Sequence, residues 1–126
     1  LIGQYAHGNE PSHHTTYMYA YAGAQYKIPV NVRYIMDELY TDKPDGLTGN
    51  EDCGQMSSWY VLSAMGIYSV TPGLDYYTIG SPKLKKASIN LENGNQFKII
   101  ASGASEKNIF IKSAKLNGEE FNRSYI

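Results

Sequence analysis

Between Gln55 and Met65, the apolar residues Met56, Trp59, Tyr60, Val61, Leu62 and Met65 wrap most of the circumference of a helix. A helix apolar on nearly every side must be covered on nearly every side, so this segment predicts a largely buried helix, ended by Gly66. The small residues Ser57, Ser58, Ser63 and Ala64 would let neighbours approach closely. Two other stretches read as helix. One starts near Pro29, a residue suited to a first turn, and carries Val32, Ile35, Met36 and Leu39 at i, i+3, i+4, i+7. The other runs from about His13 to Ala22, with Ser12 as its cap and Gly23 as its end. Two short partners supply too little surface to bury the Gln55–Met65 helix. The chain is therefore expected to be part of a longer one. Leu1 in place of an initiator methionine, and a last segment, Phe121 to Ile126, that reads like mid-strand, support the same expectation.

After Tyr68 the period changes from helical to alternating. Ala87, Ile89 and Leu91 alternate, as do Phe97, Ile99 and Ala101, and Asn93-Gly94 between them predicts a hairpin with a type I′ turn. Asn108 to Ala114 reads as a third strand. Asn117-Gly118 offers a second hairpin turn into a short strand from Glu120, and Tyr76 to Ile79 reads as a short extra strand before the turn Gly80-Ser81-Pro82. Helices followed by strands imply an α+β chain, with a helical segment over 1–67 and an antiparallel β segment over 68–126.

The chain's 126 residues suffice for one modest core, and a formal charge of −1 gives no reason to expect nucleic acid or an anionic membrane as partner. No apolar run approaches membrane-spanning length. A single cysteine, Cys53, excludes an internal disulfide framework and is expected to be a small buried thiol. Twelve tyrosines pair large apolar rings with polar tips, as sugar sites and interfaces do, although ordinary cores use them too.

Two stretches concentrate reactive side chains. In Tyr5-Ala6-His7-Gly8-Asn9-Glu10-Pro11-Ser12-His13-His14, a carboxylate, an amide and three imidazoles fall within eight residues. The oxygen donors Asn9 and Glu10 suit a hard cation such as calcium, whereas the spacing matches no common zinc pattern. On a helix His13 and His14 would point about 100° apart and could not share one ion. The plainer alternative is a capped helix start with a buried, hydrogen-bonded histidine. The second stretch is the Gly-rich loop Pro44 to Gly54, which carries Asn50-Glu51-Asp52 into the buried helix. A carboxylate there can take a proton from water. It can equally be an acid placed favourably at a helix N-terminus. Adjacent residues cannot flank a bond from both sides, so at most one of Glu51 and Asp52 is a base and an opposing acid lies elsewhere. No phosphate loop, dinucleotide fingerprint or Ser-His-Asp order is visible.

Together with Tyr19 to Gly23 (YAYAG), Val61 to Tyr68 and Tyr77 to Pro82 (YTIGSP), the stretches YAHGNEPSHH and PDGLTGNEDCGQMSSWY resemble glycoside hydrolase family 92, the calcium-dependent exo-α-mannosidases. The resemblance covers essentially the whole chain and matches the C-terminal part of such enzymes. It implies a helical hairpin portion of an (α/α)6 barrel, followed by antiparallel strands that return toward a β-sandwich. It implies an inverting mechanism on mannose-containing glycans of N-glycan or mannan type, in a bacterial periplasmic, cell-surface or secreted enzyme. By position in the motif it implies Asp52 as general base with Glu51 as second choice, Glu10 and Asn9 at the calcium, and Asn50, His14 and Gln55 in contact with sugar or supporting those that are. The general acid is expected upstream of Leu1. One departure concerns Asn50, where many relatives are expected to carry a second carboxylate; an amide orients a water but cannot share its proton.

The resemblance leaves three expectations to separate. The chain is the C-terminal part of an α-mannosidase, inactive alone because it lacks the acid. It is a noncatalytic carbohydrate-binding or structural module. Or it belongs to an enzyme weakened at Asn50. If the chain stands alone, uncovered apolar helix faces are expected to drive self-association.

Overall fold

The computed structural model describes residues 3–126. Two α-helices form the framework: α1 over Ile28–Glu38 and α2 over Gln55–Met65. α1 begins where Pro29 favours it and turns Ile28, Val32, Ile35 and Met36 inward, all buried. α2 buries Met56, Trp59, Ser63, Ala64 and Met65. Trp59 is fully buried at the centre, packed with Tyr17, Ile28, Val32, Ile35, Met36, Ala64 and Tyr68. Burying each of the Ile, Val and Met side chains stabilises the fold by about 1.5–3 kcal/mol, so this cluster is the main cohesive element.

The expected all-round burial of α2 is corrected on one side. Val61 is 54% exposed, and on α1 Tyr26, Val30 and Tyr34 line an open face just before and along the helix. Gly66 closes α2 at φ +90, with its N–H on the Leu62 and Ser63 carbonyls. A Cβ at Gly66 would stand 2.8 Å from the Pro82 ring, so glycine is needed there for space as well as for φ.

The helix expected over His13–Ala22 is instead a 3-10 stretch, Thr15–Ala20, preceded by a second over Glu10–Ser12, with i→i+3 bonds such as Tyr17 N–H to His14 O (2.9 Å) and Tyr21 N–H to Met18 O (3.1 Å). Ser12 does not cap it. Its hydroxyl donates backward to the carbonyls of Ala6 and Asn9, both 2.8 Å, so the chain tightens before the expected helix begins. Gly23 follows in the left-handed region.

The strands form three two-stranded antiparallel pieces. β1 (Ile67–Tyr68) pairs with β2 (Thr78–Ile79), β3 (Lys86–Asn90) with β4 (Gln96–Ile100), and β5 (Lys115–Leu116) with β6 (Glu119–Glu120). The last residues return beside β2: Tyr77 and Ile126 exchange backbone bonds of 2.7 and 2.8 Å, and Ile79 N–H reaches Ser124 O. The strand expected over Tyr76–Ile79 is thus shorter. The one expected over Asn108–Ala114 is not formed, because no strand lies beside it among the described residues to complete a ladder; Ser81 Oγ donates to its Ile109 carbonyl at 2.6 Å.

Turn geometry also departs from expectation. Gly94 N–H bonds Leu91 O and Leu91 N–H bonds Asn95 O, which gives a three-residue loop with only Gly94 at positive φ, not a type I′ turn. The type I′ signature, positive φ at both central residues, appears instead at Asn117 and Gly118, between the paired residues Leu116 and Glu119. Arg33 ties the two halves together. Buried on α1, its guanidinium donates to the carbonyls of Pro82 (3.1 Å) and Ser105 (2.8 Å), and Lys83 pairs with Asp37 nearby.

Candidate active site

The two reactive stretches meet backbone to backbone. A Cβ on Gly8 would lie 2.3 Å from the Thr48 carbonyl oxygen, and one on Gly49 only 2.9 Å from that of Gly8. No real side chain tolerates the first contact, so the two loops can approach this closely only through glycine. The second loop is pinned at its base by the Tyr40–Leu47 bridge and by Thr48 Oγ1 donating to Leu39 O (3.1 Å).

Past Gly49 the backbone makes an unusual entry into α2. Asp52, Cys53 and Gly54 stand in succession at φ +46, +57 and +90. Two non-glycine residues in the left-handed region are costly and are tolerated when the surrounding contacts hold them there. The two acids consequently part company. Glu51 turns toward the helix and accepts from Ser57 N–H (2.9 Å) and from Ser57 Oγ–H (2.8 Å), one bond on each carboxylate oxygen. It therefore caps the first turn of α2. Asp52 is exposed and faces Glu10 of the other loop. Its pKa is raised above the ordinary aspartate range, first by the neighbouring Glu10 carboxyl, with which it can share a proton, and by the like charge that carboxyl carries. On the Glu10 side, Oε1 is buried with no hydrogen-bond partner.

Behind this pair lies an aromatic and imidazole network. The rings of His7 and His13 stack at 4.6 Å, and His7 meets Trp59 edge-on at 4.4 Å. Tyr40 Oη donates to Met56 O (3.0 Å), so its lone pair receives the proton of His7 Nε2 (2.6 Å). His7 Nδ1 is then bare and accepts from Tyr5 Oη (2.7 Å). By the same reasoning, His13 Nε2–H donates to His7 O (2.9 Å), and His13 Nδ1 accepts from the Gln55 amide at 3.2 Å. Trp59 Nε1 donates to His13 O (3.1 Å). Both imidazoles are neutral in this arrangement. Burial lowers the pKa of His7 to about 4, helped by His13, and burial likewise lowers that of His13.

The residues singled out from the sequence thus fall into three groups. Glu10 and Asp52 come together. Gln55 joins the network from the first turn of α2, and Glu51 is engaged with Ser57. Asn9, Asn50 and His14 are exposed; the Asn9 carbonyl accepts from Ser12, and His14 stands at the start of the second 3-10 stretch. Cys53 is exposed, not buried as expected. Tyr5 and His7 lay in the first reactive stretch without assigned roles, and the buried, hydrogen-bonded histidine expected as its plainer alternative is found at both His7 and His13. Tyr40 and Ser57 were not singled out as supports of the site.

As for a cation, no group of three or more His, Cys, Asp or Glu side chains converges among the described residues. The donor chemistry of the pair nevertheless fits a hard cation: two carboxylates face one another, and one buried oxygen lacks any partner. Carbonyl, amide or water oxygens would complete such a shell. A cleft of about 470 Å³ opens between α1 and α2, lined by Met36, Tyr40, Ser57, Tyr60 and Val61 among others, and neither Glu10 nor Asp52 borders it.

Comparison with known proteins gives the family of the chain. The family model described as the glycosyl hydrolase family 92 catalytic domain matches residues 1–126. An uncharacterized secreted glycosidase from Arthroderma benhamiae is 30% identical over 122 residues, covering 94% of this chain and 16% of its own length. The family GH92 alpha-mannosidase BT3965 from Bacteroides thetaiotaomicron, solved in complex with mannoimidazole, superposes with a TM-score of 0.94 at 41% identity, over 99% of this chain and 16% of that one. The inverting mannosidase BT2199 from the same organism superposes with a TM-score of 0.90 at 46% identity, over 99% of this chain and 17% of that one. The chain thus spans about a sixth of the length of the relatives it matches. With the family model covering it from end to end, the chain belongs to glycosyl hydrolase family 92.

Proposed function

We propose that this chain supplies one side of the catalytic centre of an inverting, calcium-dependent exo-α-mannosidase that releases mannose from N-glycan or mannan-type α-mannosides. The observation that carries the reading is the meeting of Glu10 and Asp52 across the Gly8–Gly49 contact. Its placement in an (α/α)6 barrel, and export from the cell, are parts of the same proposal. The similarity to GH92 mannosidases and to a fungal glycosidase described as secreted supports them.

In this reading Asp52 is the general base. It takes a proton from water as the water oxygen bonds to the anomeric carbon and the glycosidic carbon–oxygen bond breaks on the opposite face. A base works best when its pKa lies close to the operating pH; the Glu10 carboxyl raises that of Asp52, and a cation held on Glu10 would lower it again. Glu51 is less suited, because Ser57 occupies both of its oxygens. The opposed acid in an inverting pair stands about 6.5–9.5 Å from the base. In this reading Glu10 serves the cation, and the proton donor to the leaving oxygen comes from outside these residues. Glu10, with Asn9, would hold the calcium ion, which when bound anchors hydroxyls of the terminal sugar. Asn50, His14 and Gln55 complete the proposed sugar contacts.

The test is made in the enzyme that contains this chain. Asp52→Asn lowers kcat on an α-mannoside by roughly 10²–10⁴-fold with the fold intact, the range expected for loss of a general base. Glu51→Gln chiefly lowers thermal stability. Wild-type turnover in Asp52→Asn would refute the assignment.

A further inference from the structure

We propose that Tyr40 and His7 are positioning residues, a hydrogen-bonded strut that sets the separation of the Glu10 and Asp52 carboxylates. The inference rests on the reading of that pair as the reacting centre. Three segments converge on one hydroxyl. Tyr40 follows α1 directly; its Oη accepts from His7 Nε2 at 2.6 Å, in the loop that carries Glu10 three residues later. The same Oη donates to Met56 O at 3.0 Å, in the first turn of α2 just past the left-handed turn at Asp52.

The rest of the geometry makes the strut stiff. The Tyr40 ring lies parallel to Trp59 (4° between planes, centroids 6.1 Å apart), and the Trp59 indole is held to the His13 carbonyl at 3.1 Å. His13 N–H in turn bonds Glu10 O at 3.0 Å, so the backbone of Glu10 is fixed to the same assembly. Met56 N–H contacts Glu51 O at 3.3 Å, which fixes the residue preceding Asp52. Each carboxylate is therefore at most a residue or two from a bond that ends at Tyr40, His7, His13 or Met56. The hydrogen bonds of the Tyr40, His7 and His13 side chains run to one another, to backbone carbonyls, to Tyr5 and to Gln55, not to the carboxylates; their effect is on where Glu10 and Asp52 stand. An error of about 1 Å in such a pair can cost on the order of 10²-fold in rate.

Tyr40→Phe removes the junction hydroxyl and keeps the ring on Trp59. In the whole enzyme, assayed at a temperature where circular dichroism shows the variant fully folded, kcat is expected to fall roughly tenfold or more with KM changed less than about twofold, the split that marks loss of an interaction felt in the transition state. His7→Gln, which can keep a donor toward Tyr40, is expected to retain most of that activity, whereas His7→Ala matches Tyr40→Phe. Should Tyr40→Phe fail to fold, the His7→Gln and His7→Ala pair carries the test. Wild-type kcat in a folded Tyr40→Phe, or equal loss in His7→Gln and His7→Ala, would overturn the strut. Asp52→Asn is measured alongside. If it keeps wild-type turnover, the reading of the site fails; if it is inactive while Tyr40→Phe is not impaired, only the strut fails.

Discussion

The helical part and the strand part of this chain are held together by different means. Residues 5–68 surround fully buried Trp59 and Tyr17, and their polar interior groups are cross-linked through Tyr5, His7, His13 and Tyr40. Beyond Tyr68 the chain folds into two-stranded ladders. On β3 and β4 the inward residues Ala87, Ile89, Phe97 and Ile99 are only half-buried, and Phe110 and Ile100 are well exposed. Isolated two-stranded hairpins are marginal in water. The precision needed to hold two carboxylates together therefore resides in the first part, and the second is attached through the β1–β2 pairing, the backbone bonds of Gly80, Lys83 and Leu84 to the Gly66 and Ala64 carbonyls, Arg33 and the Lys83–Asp37 pair.

Truncation of a core residue in each part is the strongest test of this contrast. Trp59→Ala is expected to cost about 3–5 kcal/mol, enough to unfold the helical part. Phe97→Ala, at a half-buried site, is expected to cost about 1–2 kcal/mol. Denaturant midpoints measure both, and equal losses would erase the distinction. Next comes the loop contact. Gly8→Ala forces a Cβ against the Thr48 carbonyl oxygen at 2.3 Å and is expected to destabilise by about 1–3 kcal/mol. It should also separate Glu10 from Asp52, whereas Gly103→Ala, with open space around its Cβ position, should do neither.

The last effect is that of pH. His7 has a folded pKa of about 4 against an ordinary value of 6.5, so between these values the unfolded chain binds protons that the native state refuses. Its stabilising contribution is fully present above pH 6.5, declines as pH falls toward about 4, and is lost below that. Denaturation midpoints followed across this window should fall more steeply for the wild type than for His7→Gln. Identical slopes would show that the imidazole network is not where burial is concentrated.

Local signals made the helices legible. The stripe from Val32 to Leu39, Pro29 at its start and Gly66 after Met65 each act within one or two turns, and α1 and α2 fall where they indicate. Where a partner decides the outcome, local reading failed. The same Asn-Gly pair occurs at 93–94 and 117–118, and only at the second do strands close directly onto it. Ser12 could cap a helix, yet its hydroxyl serves Ala6 and Asn9. Asn108–Ala114 alternates like a strand with no ladder to join among the described residues. At the site, Glu10, Glu51 and Asp52 stood out as residue types, but their contacts did not. The contacts that separate Glu51 from Asp52 run to Ser57 and across more than forty residues to Glu10, and the supports beneath them join His7 to Tyr40, 33 positions apart.

The central claim is that two distant loops bring Glu10 and Asp52 into one acidic centre, and a carboxyl-resolved NMR titration tests it most directly. The account predicts that in calcium-free buffer Asp52 titrates above the ordinary aspartate range and returns to it in Glu10→Gln. An Asp52 carboxyl that titrates normally in the wild type and is unmoved by Glu10→Gln would contradict it.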